Sequence, residues 1–263
     1  MKKLVLVPLG ALLFALPAIA QSAFDGTWKI DMSKVAFPKK PDVFVLDKGM
    51  YACTSCTPPY NIKADGSDQA VTGHPYTDSI AIKVVSDHQI EETDKKGGKV
   101  VATSTSTASA DGKTIAFTFT DSSNSNGGAP VTGKGTAVRV AAGPAGSHAI
   151  SGSWRTEKLD SLSDNAISWT YKLNGDEITM TNPTGQTYTA KLNGPDAPMK
   201  GDPGVSSVSV KTVGKNILEE TDKRNGKPVS MLKMTVSADG KTAKCAFEDL
   251  LQNRTTNADA VKQ

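Results

Sequence analysis

Short stretches in which apolar and polar residues alternate fill most of the chain, and glycine-containing turns separate them. In the first half this pattern predicts strands near 26–31, 43–53, 59–64, 78–85, 88–94, 99–108, 113–120 and 132–140. Asp65-Gly66, Gly97-Gly98 and Asp111-Gly112 punctuate them; the second half carries Asn174-Gly175, Asn193-Gly194, Asn225-Gly226 and Asp239-Gly240. Asn-Gly and Asp-Gly suit tight hairpins, because a type I′ turn needs positive φ at both central residues.

Around Asp111-Gly112 the two-residue period sets a register. Ala108 faces Ile115, Ser106 faces Phe117 and Ser104 faces Phe119 on one side; Thr107 with Ala116 and Thr105 with Thr118 lie on the other. The same hairpin recurs later as Val236/Ala243, Met234/Cys245 and Leu232/Phe247, backed by Thr235/Lys244, Lys233/Ala246 and Met231/Glu248. The charged positions share one side, so the other faces an interior. Two inward pairs exchange large and small partners between the hairpins, which roughly keeps the packed volume. Cys245, at the place of Phe117, is expected to be a buried thiol acting as a small hydrophobe.

The recurrence is general. Tyr60–Asp121 aligns without gaps on Tyr188–Asp249, with 26 identities in 62 positions. Upstream, Gly26-Thr27-Trp28 matches Gly152-Ser153-Trp154. One ancestral domain has been duplicated, with copies over 21–142 and 149–263 and a Gly/Pro/Ala linker at 141–147. About eight hairpin-linked strands per copy form an up-and-down antiparallel sheet, and closure into a barrel removes its exposed edges. The expected fold is all-β: two tandem antiparallel up-and-down barrels.

Residues 1–20 stand apart. Lys2 and Lys3 precede an apolar run from Leu4 to Leu16, and Ala18-Ile19-Ala20 offers a cleavage site before Gln21. This reads as a signal peptide, so the mature protein is expected outside the cytoplasm, periplasmic or secreted, with no transmembrane segment. Without Lys2 and Lys3, 28 basic residues face 27 acidic ones. No basic stripe remains, so no nucleic-acid partner is expected.

Export gives the three cysteines an oxidising destination. Cys53 and Cys56 form CxxC, a spacing that admits a local disulfide or a thioredoxin-type redox pair. A redox pair needs a thiolate at a helix N-terminus, whereas Thr57-Pro58-Pro59-Tyr60 reads as extended chain. A structural disulfide is therefore expected. His74, His88 and His148 are scattered, so no metal site is expected. GxSxG, HExxH and P-loop patterns are absent, so neither catalytic residues nor a cofactor are assigned.

The twice-occurring Gly-x-Trp on a first strand resembles the lipocalin, or more broadly calycin, superfamily. The resemblance implies a basic residue on the last strand that packs over the Trp at the closed end of the barrel. Arg139 is the candidate for Trp28, and Lys262 is the nearest match for Trp154. The resemblance also implies a barrel holding a small, partly apolar molecule. The expected function is thus an exported binding protein rather than an enzyme. The other reading is a cell-envelope interaction protein with filled barrels. The candidate ligand-binding residues lie in the first barrel, which has Ser104 where the second has Leu232. They are Ser104, Ser106, Phe117, Phe119 and, from the Glu91-Glu92 pair, Glu91. The first interior is expected to be the larger and more polar one.

Overall fold

A computed structural model describes residues 22–263; residues 1–20, expected to be a signal peptide, lie outside the described residues. The first copy supplies β1 (Gly26–Ala36), β2 (Asp42–Asp47), β3 (Met50–Cys53), β4 (Tyr60–Lys63), β5 (Gln69–Ala70), β6 (Ser79–Ser86), β7 (Gln89–Lys96), β8 (Lys99–Ala108), β9 (Thr114–Asp121) and β10 (Val131–Ala142). The second supplies β11 (Gly152–Leu162), β12 (Ser168–Asn174), β13 (Glu177–Thr181), β14 (Thr187–Lys191), β15 (Ala197–Pro198), β16 (Ser207–Val213), β17 (Ile217–Arg224), β18 (Lys227–Val236), β19 (Thr242–Asp249) and β20 (Arg254–Lys262).

All pairings are antiparallel, and the strands form two ten-stranded sheets that curl into nearly closed barrels. A bridge between Asp65 and Lys83 ties the ends of the first sheet together, and one between Thr187 and Lys200 ties those of the second. Asn225-Gly226 and Gly97-Gly98 take positive φ at both residues, 51° and 77° and 57° and 76°, whereas in Asp65-Gly66, Asp111-Gly112, Asn174-Gly175 and Asp239-Gly240 only the glycine does, so these turns are not of type I′. The hairpin register holds in both copies. Ser104 faces Phe119 and Ser106 faces Phe117; Leu232 faces Phe247 and Met234 faces Cys245.

The two copies exchange their first strands. β1 lies in the second barrel, between β12 and β20. β11 lies in the first, between β10 and β2. The expected Trp–cation pairs are accordingly reversed. Arg139 stacks over Trp154, with its guanidinium carbon 4.0 Å from the ring centroid. Lys262 lies over Trp28, its Nζ at 4.8 Å. The reason is the short connection between the copies: β10 runs into β11 as a hairpin, with Ala142 opposite Gly152. That puts β11, not β1, in the open place beside β10. β1 then takes the equivalent place beside β20.

Each Trp sits in the same kind of seat. Trp28 Nε1 donates to Phe24 O and Trp154 Nε1 to Ile150 O, both at 2.8 Å. Arg139 also donates to Gly112 O, and to Ser151 O and Ala149 O at 2.6 Å. Among the described residues, Lys262 Nζ donates to one backbone carbonyl, Ala23 O, at 3.0 Å. The planar guanidinium thus holds three carbonyls, one in the β8–β9 turn and two in the segment entering β11, where the ammonium holds one.

Cys245 is the free thiol, 3% exposed in the second core, and burial pushes its pKa up to about 12. Cys53 and Cys56 form a disulfide at the mouth of the β3–β4 connection. Met180 occupies the place of Cys53 in the second barrel, because Cys53 faces Phe44 and Tyr60 just as Met180 faces Tyr171 and Tyr188. The barrel therefore closes without the bridge. A loop this short removes little entropy from the unfolded chain, so replacing both cysteines by Ser should lower stability by only about 1–2 kcal/mol in denaturant titration. Loss of folding would contradict this.

Candidate functional site

The strand exchange gives a position-by-position correspondence between the two barrels. Gly152 faces Phe44 in the first, and Gly26 faces Tyr171 in the second. Phe44 therefore stands where the second barrel has Tyr171, Asp42 where it has Trp169, and Tyr60 where it has Tyr188. Across β6–β10 one inward row reads Ile82, Glu92, Ser104, Phe119, Gly133. The matching row across β16–β20 reads Val210, Glu220, Leu232, Phe247, Thr256.

Gly133 decides how that row packs. A Cβ there would lie 2.5 Å from Phe119 Cε1 and 2.6 Å from Cζ, so the ring lies directly on the glycine backbone. In the second barrel Thr256 denies Phe247 that seat, and its ring meets Trp169 edge-on at 6.3 Å between centroids. With Phe119 laid against β10 and Ser104 in place of Leu232, a hollow of about 230 Å³ remains in the first barrel. Glu92, Asp94, Ala102, Ser104, Phe119 and Asp121 line it, with Thr103 and Thr120. It adjoins a cleft of about 310 Å³ between the barrels, which shares Asp94, Ala102 and Asp121 and is bounded on the far side by Arg224, Asp249 and Leu251.

The carboxylates are electrostatically unusual. Glu92 and Asp94 project from the same face of β7, and burial drives both carboxyls well above the ordinary range. Asp94 raises Glu92 further, and the Asp121 charge raises Asp94. Asp94 Oδ1 is buried with no hydrogen-bond partner. The second barrel repeats the trio as Glu220, Asp222 and Asp249, and there Asp222 Oδ1 is likewise buried without a partner. Tyr171 and Tyr188 hydroxyls donate to Glu220 Oε2 at 3.1 and 2.5 Å. Ser230 Oγ donates to Asp222 Oδ2 at 2.8 Å. Burial is the main reason that Glu220 rises to about 7 and Asp222 to about 6, against the lowering effect of these bonds.

The structure divides the residues expected to bind. Ser104 and Phe119 line the hollow. Ser106 and Phe117 form the next pair toward the closed end, outside the hollow's lining. Phe117 packs against the core, its ring over Gly135. Glu91 is corrected: it faces outward, with its carboxylate 3.1 Å from Lys83 Nζ, and Glu92 is the inward member of the pair. Adjacent strand residues face opposite sides, and Glu91 lies opposite Thr105 while Glu92 lies opposite Ser104. The hairpin register had already turned Ser104 inward, so the signal for Glu92 was present. The expectation of a larger first interior is also corrected. A larger hollow, about 520 Å³, lies over the second barrel's mouth on Asp222, Ser230, Leu232, Phe247 and Asp249, and Pro38, Tyr76 and Gly204 extend its wall beyond the strands. Beneath it Met234 is fully buried and Leu232 packs on the core.

Among the described residues, no group of His, Cys, Asp and Glu is arranged to hold a metal ion, and no helix is long and apolar enough to cross a membrane. No protein-family model matches the chain, and no curated protein matches it.

Proposed function

We propose that the protein is an exported, lipocalin-like binding protein whose first barrel holds a small, partly apolar molecule. The observation that carries this reading is the hollow at Glu92, Ser104 and Phe119, where an inward carboxyl and a hydroxyl stand beside an aromatic ring. An aromatic floor with a few convergent polar groups is the usual make-up of a small-ligand site. A buried carboxyl oxygen without a partner, as at Asp94 Oδ1, costs about 1–3 kcal/mol, which a ligand's donor relieves. The second barrel supports a structural role: Tyr171 and Tyr188 close over Glu220, and Leu232 stands where the first barrel has Ser104. Binding, rather than turnover, is the task this arrangement suits.

Native mass spectrometry of protein purified from its source tests the reading. A chain starting at Gln21 that carries a small molecule is the expected result. A chain retaining Met1 would overturn the exported assignment. Ser104→Leu, which copies the second barrel, should weaken binding at least about tenfold while stability holds or rises. Unchanged affinity would place the ligand elsewhere.

A further inference from the structure

We propose that the hollow over the second barrel's mouth is a second binding site, and that it takes an apolar dipeptide with free termini, its ammonium on Asp222 and its carboxylate on Arg224 and Arg254. This goes beyond the first-barrel reading and does not rest on it.

The hollow, about 520 Å³, has the size of a small-ligand site and lies where the two copies meet. The second copy supplies Leu232 and Phe247 beneath it, and Pro38 and Tyr76 of the first copy wall it. Two buried polar atoms of opposite sense belong to side chains that line it. Asp222 receives Ser230 Oγ on Oδ2 at 2.8 Å and has no donor for Oδ1. Arg254 commits Nη1 to Asp42 at 2.8 Å and Nη2 to Pro41 O at 2.9 Å, and has no acceptor for Nε. Arg224, which also borders the adjoining cleft, commits Nε to Gly204 O at 2.7 Å; among the described residues its two terminal nitrogens have no partner. An acceptor and several donors are thus left over around one space, where buried polar groups are ordinarily paired.

The first barrel is the comparison, because it keeps the acid and lacks the rest. Asp94 stands for Asp222 and is equally unpartnered at Oδ1. Val131, opposite Asp121 as Arg254 is opposite Asp249, stands for one arginine and Lys96 for the other. Thr103 and Ser104 stand for Met231 and Leu232. The hollow of the first barrel accordingly has no basic residue in its lining. An inward acid is common to both barrels and identifies no ligand by itself. The second mouth adds two guanidiniums and an apolar wall of Met231, Leu232 and Leu251, the last 45% exposed.

The charges decide the class. A simple cation would meet Asp222 but also two arginines, and a simple anion would meet the arginines beside Asp222 and Asp249; like charges brought together are costly. A zwitterion answers both signs with charge-assisted bonds, the stronger kind. Asp222 and Arg224 are two residues apart on β17, about 7 Å at the usual strand rise. The ends of an extended dipeptide are about 7 Å apart, and those of a single amino acid about half that. Hydrocarbon side chains then cover the apolar wall, which water otherwise meets.

Titration calorimetry on the mature chain tests the assignment with leucyl-leucine and three matched probes. N-acetyl-leucyl-leucine lacks the cation, leucyl-leucinamide lacks the anion, and glycyl-glycine lacks the apolar part. Leucyl-leucine should bind one to one, and each of the others at least about tenfold more weakly. Asp222→Asn, which keeps an acceptor for Ser230, should weaken leucyl-leucine binding at least about tenfold, as should Leu232→Ser, which copies the first barrel. Ser104→Leu, in the first barrel, should leave it unchanged. Thermal midpoints close to that of the unaltered chain show that the variants fold; if Leu232→Ser does not, the nearly isosteric Asp222→Asn carries the test. No binding of leucyl-leucine, equal binding of either capped form, or binding that ignores Asp222→Asn overturns the proposal. Binding that is lost in Ser104→Leu and kept in Asp222→Asn places the dipeptide in the first barrel and overturns this site.

Discussion

Trp28→Ala should unfold the second barrel and leave the first standing, although Trp28 belongs to the first copy by sequence. Its indole is fully buried among residues of the second barrel and lies under Lys262. Truncating a buried Trp costs about 3–5 kcal/mol through lost transfer energy and the cavity left behind. Cys245 provides a local readout, being buried in the same core as Trp28 and free to react only when that core opens. Trp28→Ala should therefore make Cys245 reactive to a thiol alkylating agent, whereas Trp154→Ala, an equally buried change in the first barrel, should leave it protected. Copies that each folded on their own first strand would give the opposite pattern. The effect on ligand should also divide. Trp154→Ala should abolish binding in the first barrel, and Trp28→Ala should spare it.

The parts of this architecture that depend on neighbouring residues were readable from the sequence. The hairpin around Gly112 and its equivalent around Gly240 have the register that alternation alone dictates, and Cys245 is buried where Phe117 is. The strand exchange was not readable. Gly26-Thr27-Trp28 and Gly152-Ser153-Trp154 fit either seat, and the choice depends on the short return from Ala142 to Gly152, a geometric property of the connection. The hollow was half readable. Ser104 against Leu232 falls in the region where the copies align without gaps. Phe44 against Tyr171 falls upstream, where the copies differ in length, and only strand pairing equates the two. That gap hid the loss of the phenol donor, and with it the reason that Glu92 differs from Glu220.

Folding stability should decline between about pH 5 and pH 8, the reverse of the usual behaviour of proteins whose carboxylates are salt-bridged. Glu92, Asp94, Glu220 and Asp222 all titrate above their ordinary values, with burial as the leading cause. Around pH 5 they are largely protonated in the folded barrels and largely ionised in the unfolded chain. The folded state then holds more protons, and by linkage its stability drops as pH rises. The contribution is fully present below about pH 4, where both states are protonated. It is lost as pH passes about 6 for Asp222 and about 7 for Glu220. A tenfold difference in proton affinity between the folded and unfolded chain is worth about 1.4 kcal/mol, and neighbouring carboxyls titrate jointly, so about 3 kcal/mol per barrel is expected across the window. The depressed aspartates at turns, such as Asp65 and Asp111, act below about pH 4 and are exposed, so they do not offset this fall. Denaturant titration at intervals from about pH 5 to about pH 8 measures the slope. Glu220→Gln keeps an acceptor for Tyr171 and Tyr188 and should flatten the second barrel's profile, followed through Cys245 protection, without touching the first. Glu92→Gln should flatten the first. Stability that rises across the same window in the unaltered protein would show that the inward carboxyls are ionised in the folded state, and that each already has the donor or counter-charge the structure withholds from Asp94 Oδ1 and Asp222 Oδ1.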